Sequence, residues 1–248
     1  MAIIWQLERD GVHYEVRRHG QRLRLLANGV QHSEYHPEKL FTGSVWDLLW
    51  LPAFLVEPAR IKRILVLGLG GGSVVAPLLR FTGAEELVAV DLDPIHVQVA
   101  REFFAVEQPG VHCHCMDARE FVESYQGEPF DLVIEDLFAP NDTSVTRAIP
   151  AQADWCRALG KLVARDGLLV MNFGDWAEYR DSWAASDKAR SGWAERFRLS
   201  TPDCHNAVLV FTRRATSSMA LRERLQAEPL IERALRSGDL DYQVRRLA

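Results

Sequence analysis

From Lys62 to Phe173 the sequence alternates short apolar runs with helical stretches, and this constrains the fold more than any other feature. "KRILVLGLG" opens the series and "GGSVVAPLLRFT" turns from it into a helix. "ELVAVDLD" is the second strand, followed by a helix from Pro94 to Phe104 with proline at a permitted first-turn position. "VHCHCMD", "FDLVIED" and "GLLVMNF" make three more strands, with helical segments at 117–125 and 150–164 between them. Strands alternating with helices imply a doubly wound, mostly parallel sheet covered on both faces. "RFRLSTPD" and "NAVLVFTRR" follow as a pair joined by a short polar turn, so antiparallel. The expected fold is α/β with a mostly parallel, seven-stranded sheet.

Residues 1–40 behave differently. "IIWQLE", "VHYEVRR", "RLRLLA" and "VQHSEY" are separated by Asp10-Gly11, His19-Gly20 and Asn28-Gly29. Glycine dipeptides between short alternating runs signal tight hairpins, so a small antiparallel meander precedes the main sheet. Residues 38–56 read as helical, with Trp46 and Trp50 four apart on one core-facing side. The expected organisation is a hairpin subdomain at 1–40, an α/β domain at 41–213, and an arginine-rich tail of surface helices at 214–248.

A chain of 248 residues with 48% hydrophobic content can bury a full core. Its net charge of −5 argues against a general nucleic-acid binder, because phosphate recognition uses a basic face. No basic n-region precedes an apolar h-region, and the apolar run at 45–56 is broken by Asp47 and Pro52. The expectation is a cytoplasmic protein with no membrane segment. Four cysteines make no disulfide framework here. In "VHCHCMD" the cysteines fall on one side of a strand and the histidines on the other, with no second Cys/His pair at finger-like spacing. It reads as a core strand with incidental sulfurs, and no metal site is expected.

In a doubly wound sheet, ligands bind beyond the carboxyl ends of the strands. The first strand ends in Gly68-Leu69-Gly70-Gly71-Gly72-Ser73, the second in Asp91, the third in Asp117, and the fourth in Glu135 and Asp136. Glycines let a ligand approach the backbone, and the following helix offers free amide groups. Carboxylates on neighbouring strands suit a ligand rich in hydroxyls, amines or positive charge. Each acid alone could serve as a helix cap, a reading that suits Asp93 and Asp117. Four consecutive strand ends point instead to one binding rim. The loop itself is shared by nicotinamide, flavin and adenosyl-cofactor proteins, and Asp91, 23 positions after Gly68, fits a ribose partner in any of them. The Asp117-Ala118 pair favours the adenosyl class.

These residues resemble the spermidine synthase-like branch of the class I S-adenosylmethionine methyltransferase fold. "ANGVQHSEY" is similar to the family's hairpin segment, one residue shorter, which implies Gln31 near the cofactor ribose. "VLGLGGGS" is similar to its glycine loop, with Gly68, Gly70, Gly71 and Gly72 on the methionine side. "VAVDLD" implies Asp91 as the ribose acid, and "MDARE" implies Asp117 and Ala118 beside adenine. "FDLVIEDLFAP" aligns without a gap on the family's acidic segment, so that Asp136 matches the catalytic aspartate, with Glu135 and Ala139 beside it on the substrate side.

Two departures bear on what is bound. Aminopropyltransferases carry an aspartate in the glycine loop near the aminopropyl amine, and here that place falls on Gly71. Its loss removes a partner for that amine and a source of repulsion against the carboxylate of S-adenosylmethionine. The second polyamine-binding aspartate is replaced by Ala139, and two hydroxyl residues by Leu137 and Phe138. Asp142 stands close enough in sequence to substitute for the lost acid, although it reads more simply as a solvated loop residue beside Asn141. The first expectation is therefore methyl transfer from S-adenosylmethionine to a small acceptor, with Asp136 holding it or taking its proton. The alternatives are aminopropyl transfer from decarboxylated S-adenosylmethionine to an amine, and a nucleoside-binding homologue without catalysis. The resemblance also implies a homodimer.

Overall fold

The computed structural model describes residues 1–140 and 145–247, so the sequence readings at Asn141 and Asp142 lie outside the described residues. Four strands, β1 (Ala2–Arg9), β2 (Val12–His19), β3 (Arg22–Ala27) and β4 (Val30–Tyr35), form an antiparallel meander in sequence order. Asp10 and Gly11 both have positive φ, as do Asn28 and Gly29, the backbone that tight two-residue hairpins need. A short helix α1 (Val45–Trp50), extended by a 3-10 turn, then leads into the main sheet.

The main sheet is built from β5 (Arg63–Leu67), β6 (Glu86–Asp91), β7 (Val111–Cys115) and β8 (Phe130–Glu135), alternating with helices α2 (Val75–Phe81), α3 (Pro94–Phe103) and α4 (Ala118–Ser124). A small antiparallel pair, β9 (Phe138–Pro140) and β10 (Val145–Arg147), follows β8. Helix α5 (Ala153–Leu162) leads to β11 (Val163–Phe173), which pairs parallel with β8. After the short helices α6 (Trp176–Asp181) and α7 (Asp187–Arg190), β12 (Glu195–Ser200) and β13 (Ala207–Thr212) add antiparallel at one side.

The tail forms helices α8 (Ser218–Ala227) and α9 (Pro229–Ser237), and then departs from the sequence reading. Its end, β14 (Gln243–Arg246), pairs antiparallel with β12, so the sheet has eight strands in the order β14-β12-β13-β11-β8-β5-β6-β7. Hydrogen bonds to the open edge of β12 and an Arg246–Glu195 ion pair hold it there. A second difference concerns "VHCHCMD". As β7 it lies at the other edge of the sheet, with both histidines and Cys115 exposed, so it is not a core strand. Among the described residues no three or more His, Cys, Asp or Glu side chains converge in a metal-binding group. No helix among them is long and apolar enough to cross a membrane.

The sheet separates two cores. Leu132 and Ile134 of β8 pack with Trp50, Phe54 and Phe81 on one face, whereas Val133 packs with Trp155, Leu159 and Phe211 on the other. Complete burial on both faces explains the unbroken apolar runs in the sequence.

Candidate active site

The glycine loop is fixed by its neighbours before any ligand is considered. The amide of Gly68 donates to the Val90 carbonyl at 2.8 Å, and that of Asp136 donates to Leu67 at 2.8 Å. Gly68 has φ +90°, and a Cβ there would stand 2.1 Å from the Asp136 carbonyl oxygen. Only glycine lets the ends of β5 and β8 approach this closely. Asp91 ties the loop to β6, because its carboxylate accepts from the Gly70 amide at 2.7 Å and the Asp93 amide at 2.9 Å.

The hairpin subdomain closes over the same loop. Ser33 Oγ accepts from the Gly71 amide at 2.6 Å, and Ser73 Oγ accepts from the Glu34 amide at 2.9 Å. A cavity of about 1120 Å³ lies between hairpin and strand ends, bordered by Gln31, Gly68, Gly70, Asp91, Asp117, Ala118, Asp136 and Ala139. Eight of the eleven residues named from sequence therefore meet at one place. Asp117 also caps α4 through the Arg119 amide at 2.6 Å, and Asp93 caps α3 through Ile95 at 2.8 Å.

The remaining three are elsewhere. Gly71 is buried beneath the hairpin, where a Cβ would stand 2.9 Å from Ser33 Cβ and 3.0 Å from the Phe104 ring. Gly72, at φ +89°, faces Val106, whose Cγ1 is 2.5 Å from a built Cβ. These glycines admit protein packing and do not border the cavity. Glu135 corrects the sequence reading in the same sense. It is fully buried, and successive residues of a strand point to opposite faces, so it turns away from the rim that Asp136 occupies. Arg147 of β10 meets its carboxylate through Nη1, Trp155 Nε1 donates to it at 3.3 Å, and Arg147 Nε also donates to Glu178 at 3.0 Å. Burial pushes the Glu135 carboxyl up, and the guanidinium pulls it partly back. This is an internal ion pair holding β10 to the sheet.

Of the two acids that follow Ile134, Asp136 is the one that borders the cavity. Its Oδ1 accepts from Asn172 Nδ2 at 2.7 Å, and Asn172 Oδ1 in turn accepts from Asn206 Nδ2 at 3.1 Å. Burial, opposed by the Asn172 hydrogen bond, raises the carboxyl to about 6. A carboxylate oriented by an amide and tuned towards neutrality has the properties of a general base. Trp46, Leu137, Phe138 and Ile149 give the cavity an apolar border nearby.

Several bordering residues escaped the sequence reading. His32 and His96 pack against each other with ring centroids 4.8 Å apart and planes tilted by 47°. Burial and the neighbouring imidazole lower His32 to about 4, and its Nε2 is buried without a hydrogen-bond partner. Burial opposes charge on His96, but Asp91 and Asp93 outweigh it and raise its pKa. Tyr14 donates to Asp93 at 2.6 Å and completes this corner. The available signals were slight: polar Asn172 inside an apolar strand, and a histidine on the buried side of α3. Trp46, read as core, borders the cavity, whereas Trp50 is the core residue, stacked on Phe81 at 5.2 Å.

Comparison with known proteins fits this geometry. Residues 49–215 match the profile of the spermine/spermidine synthase domain, about two thirds of the chain. The chain belongs to the spermine/spermidine synthase family. Within it, the chain is 30% identical over 165 residues to polyamine aminopropyltransferase 1 of Hyperthermus butylicus, covering 61% of this chain and 55% of that protein. It is 23% identical over 180 residues to the polyamine aminopropyltransferase of Vibrio vulnificus, covering 71% and 59%. The chain thus spans just over half the length of these two curated relatives. A probable spermidine synthase from Corynebacterium glutamicum shares the fold, with a TM-score of 0.76 over 99% of this chain and 91% of that one, at 21% identity.

Proposed function

We propose that this family member is an adenosyl-sulfonium-dependent transferase that moves an aminopropyl group to a small amine. The observation carrying this reading is Asp136, oriented by Asn172 at 2.7 Å, facing a cavity that Asp10, Asp91, Asp93 and Asp117 also border. The family match and the named relatives support aminopropyl transfer over the methyl transfer that the sequence ranks first.

The residues present fit decarboxylated S-adenosylmethionine. The cavity exceeds the roughly 300–1,000 Å³ usual for ligand sites. Gly68 and Gly70 expose backbone to it, Asp91 and Asp117 offer acceptors for hydroxyl and amine groups, and His32 Nε2 is a buried nitrogen awaiting a partner. When bound, the sulfonium supplies an electrophilic carbon and leaves as a neutral thioether. Asp136 would receive the proton that the acceptor amine loses as its nitrogen bonds to that carbon. Trp46, Phe138 and Ile149 would seat the alkyl part of the acceptor and exclude water. Asn172 and Asn206 would keep the receiving oxygen aimed.

Gly71 favours a second reading, methyl transfer from S-adenosylmethionine. The place of the family's amine-binding aspartate holds no acid, and Ser33 and Phe104 close the space around it. Turnover of decarboxylated S-adenosylmethionine with diamines, measured as methylthioadenosine release, tests the role of Asp136 in the first reading. Activity should rise through about pH 6 as Asp136 ionises, and Asp136→Asn should lower it by about 10²–10⁴-fold with donor affinity retained. An active Asn variant would remove Asp136 from the chemistry.

A further inference from the structure

A second cavity, of about 320 Å³, lies on the sheet face that carries Leu169, Met171 and Phe211 and shares no bordering residue with the first. Helix α5, β11, β13 and the segment around residues 183–193 border it, Met171 among them. Its charge is one-sided. Arg157, Lys161 and Arg213 all border it, and among the described residues around it there is no carboxylate, in a chain whose net charge is −5. Asp154, the acid nearest Arg157 at 3.8 Å, points into solvent and does not border the cavity.

Two of the cations lie on tryptophans that also border this space. The Arg213 guanidinium stands 4.1 Å from the Trp193 ring centroid, and that of Arg157 stands 5.1 Å from Trp183. Arg213 is held by neutral groups alone, donating to Gly192 O at 2.5 Å and Gly160 O at 2.7 Å. Partial burial works against its charge, which no acid among the described residues balances. A cation fixed this way keeps donor capacity for an anion, and flat aromatic walls favour a flat apolar body beside it.

We propose that this second cavity binds a small organic anion carrying a flat apolar body. The volume, at the lower end of the usual range for small-molecule sites, admits a ligand of up to about three rings. The proposal stands apart from the transferase reading, since none of its residues touches the first cavity.

The probe is 8-anilinonaphthalene-1-sulfonate, titrated by its own fluorescence and by quenching of tryptophan emission, beside uncharged N-phenyl-1-naphthylamine. The sulfonate should saturate one site and bind at least about tenfold more tightly than the neutral compound at low salt, the difference shrinking as salt is added. Arg213→Gln and Lys161→Glu should each weaken the sulfonate several-fold and leave the neutral probe unaffected. Arg213 also ties two backbone carbonyls, so Lys161→Glu, on the exposed end of α5, decides the matter if the arginine variant fails to fold. Equal affinity for the two probes, indifference to Lys161→Glu, or displacement of the sulfonate by methylthioadenosine would overturn the proposal.

Discussion

Asp136→Asn should make the ligand-free protein more stable at neutral pH, even as it removes the proposed base. Asn172 donates to Asp136 Oδ1, and an asparagine side-chain oxygen can accept that same hydrogen bond, so orientation survives. What changes is charge. Folding raises the Asp136 carboxyl from its ordinary 3.8 to about 6, chiefly by burial. A group raised in this way favours folding when protonated, and that contribution is lost as pH climbs through about 6. The difference of roughly two pH units corresponds to about 3 kcal/mol at 1.36 kcal/mol each. Because the carboxylate borders an open cavity, solvent screening reduces this to about 1–2 kcal/mol. Urea unfolding of wild type and variant at matched ionic strength, from pH 4 to pH 8, measures it. The two curves should lie close near pH 4, separate between about pH 4 and 6, and run parallel above pH 6, with the variant more stable. A variant equally or less stable at pH 8 would show that the carboxylate is not strained by burial, and its role as a tuned base would lose its physical basis.

Arg147→Ala should cost about 3–5 kcal/mol, because it leaves Glu135 charged and fully buried; a fall in melting temperature of only a degree or two would show that Glu135 is already neutral. Gly71→Asp should lose about 1–3 kcal/mol in denaturant melts, since its Cβ would press on Ser33 and Phe104. A neutral or stabilising result would mean that the hairpin yields readily and that the family's aspartate was lost without a packing reason. Asp91→Asn leaves one oxygen to serve the Gly70 and Asp93 amides. Calorimetric affinity for methylthioadenosine should fall by about 1.5–3 kcal/mol, and unchanged affinity in a folded variant would remove Asp91 from the site.

The sequence was most legible where a regular period met a strand end. The turn from β5 into α2 and the acids closing β6, β8 and the turn before α4 follow from position alone, because parallel strands all deliver their carboxyl ends to one rim. The acids of β8 show where this reasoning stops. A strand buried on both faces has no polar alternation, so nothing in "FDLVIED" tells which of Glu135 and Asp136 faces the cavity. Only the position of Arg147, twelve residues on, settles it. Gly71 and Gly72 show a related limit. A glycine signals close approach, but the approaching groups here are Ser33, Phe104 and Val106 of the protein itself. Strand β14 was hidden for another reason. "QVRR" is short and polar, and it is a strand only because the edge of β12 supplies its hydrogen bonds.

Donor choice tests the central claim most directly. The protein is incubated with equal concentrations of S-adenosylmethionine and decarboxylated S-adenosylmethionine and a panel of diamines and monoamines, and products are identified by mass. Aminopropyl transfer predicts methylthioadenosine and an acceptor heavier by one aminopropyl group, with the decarboxylated donor consumed first. Accumulation of S-adenosylhomocysteine with a methylated acceptor, and no methylthioadenosine, would contradict it and establish methyl transfer as the work of this cavity.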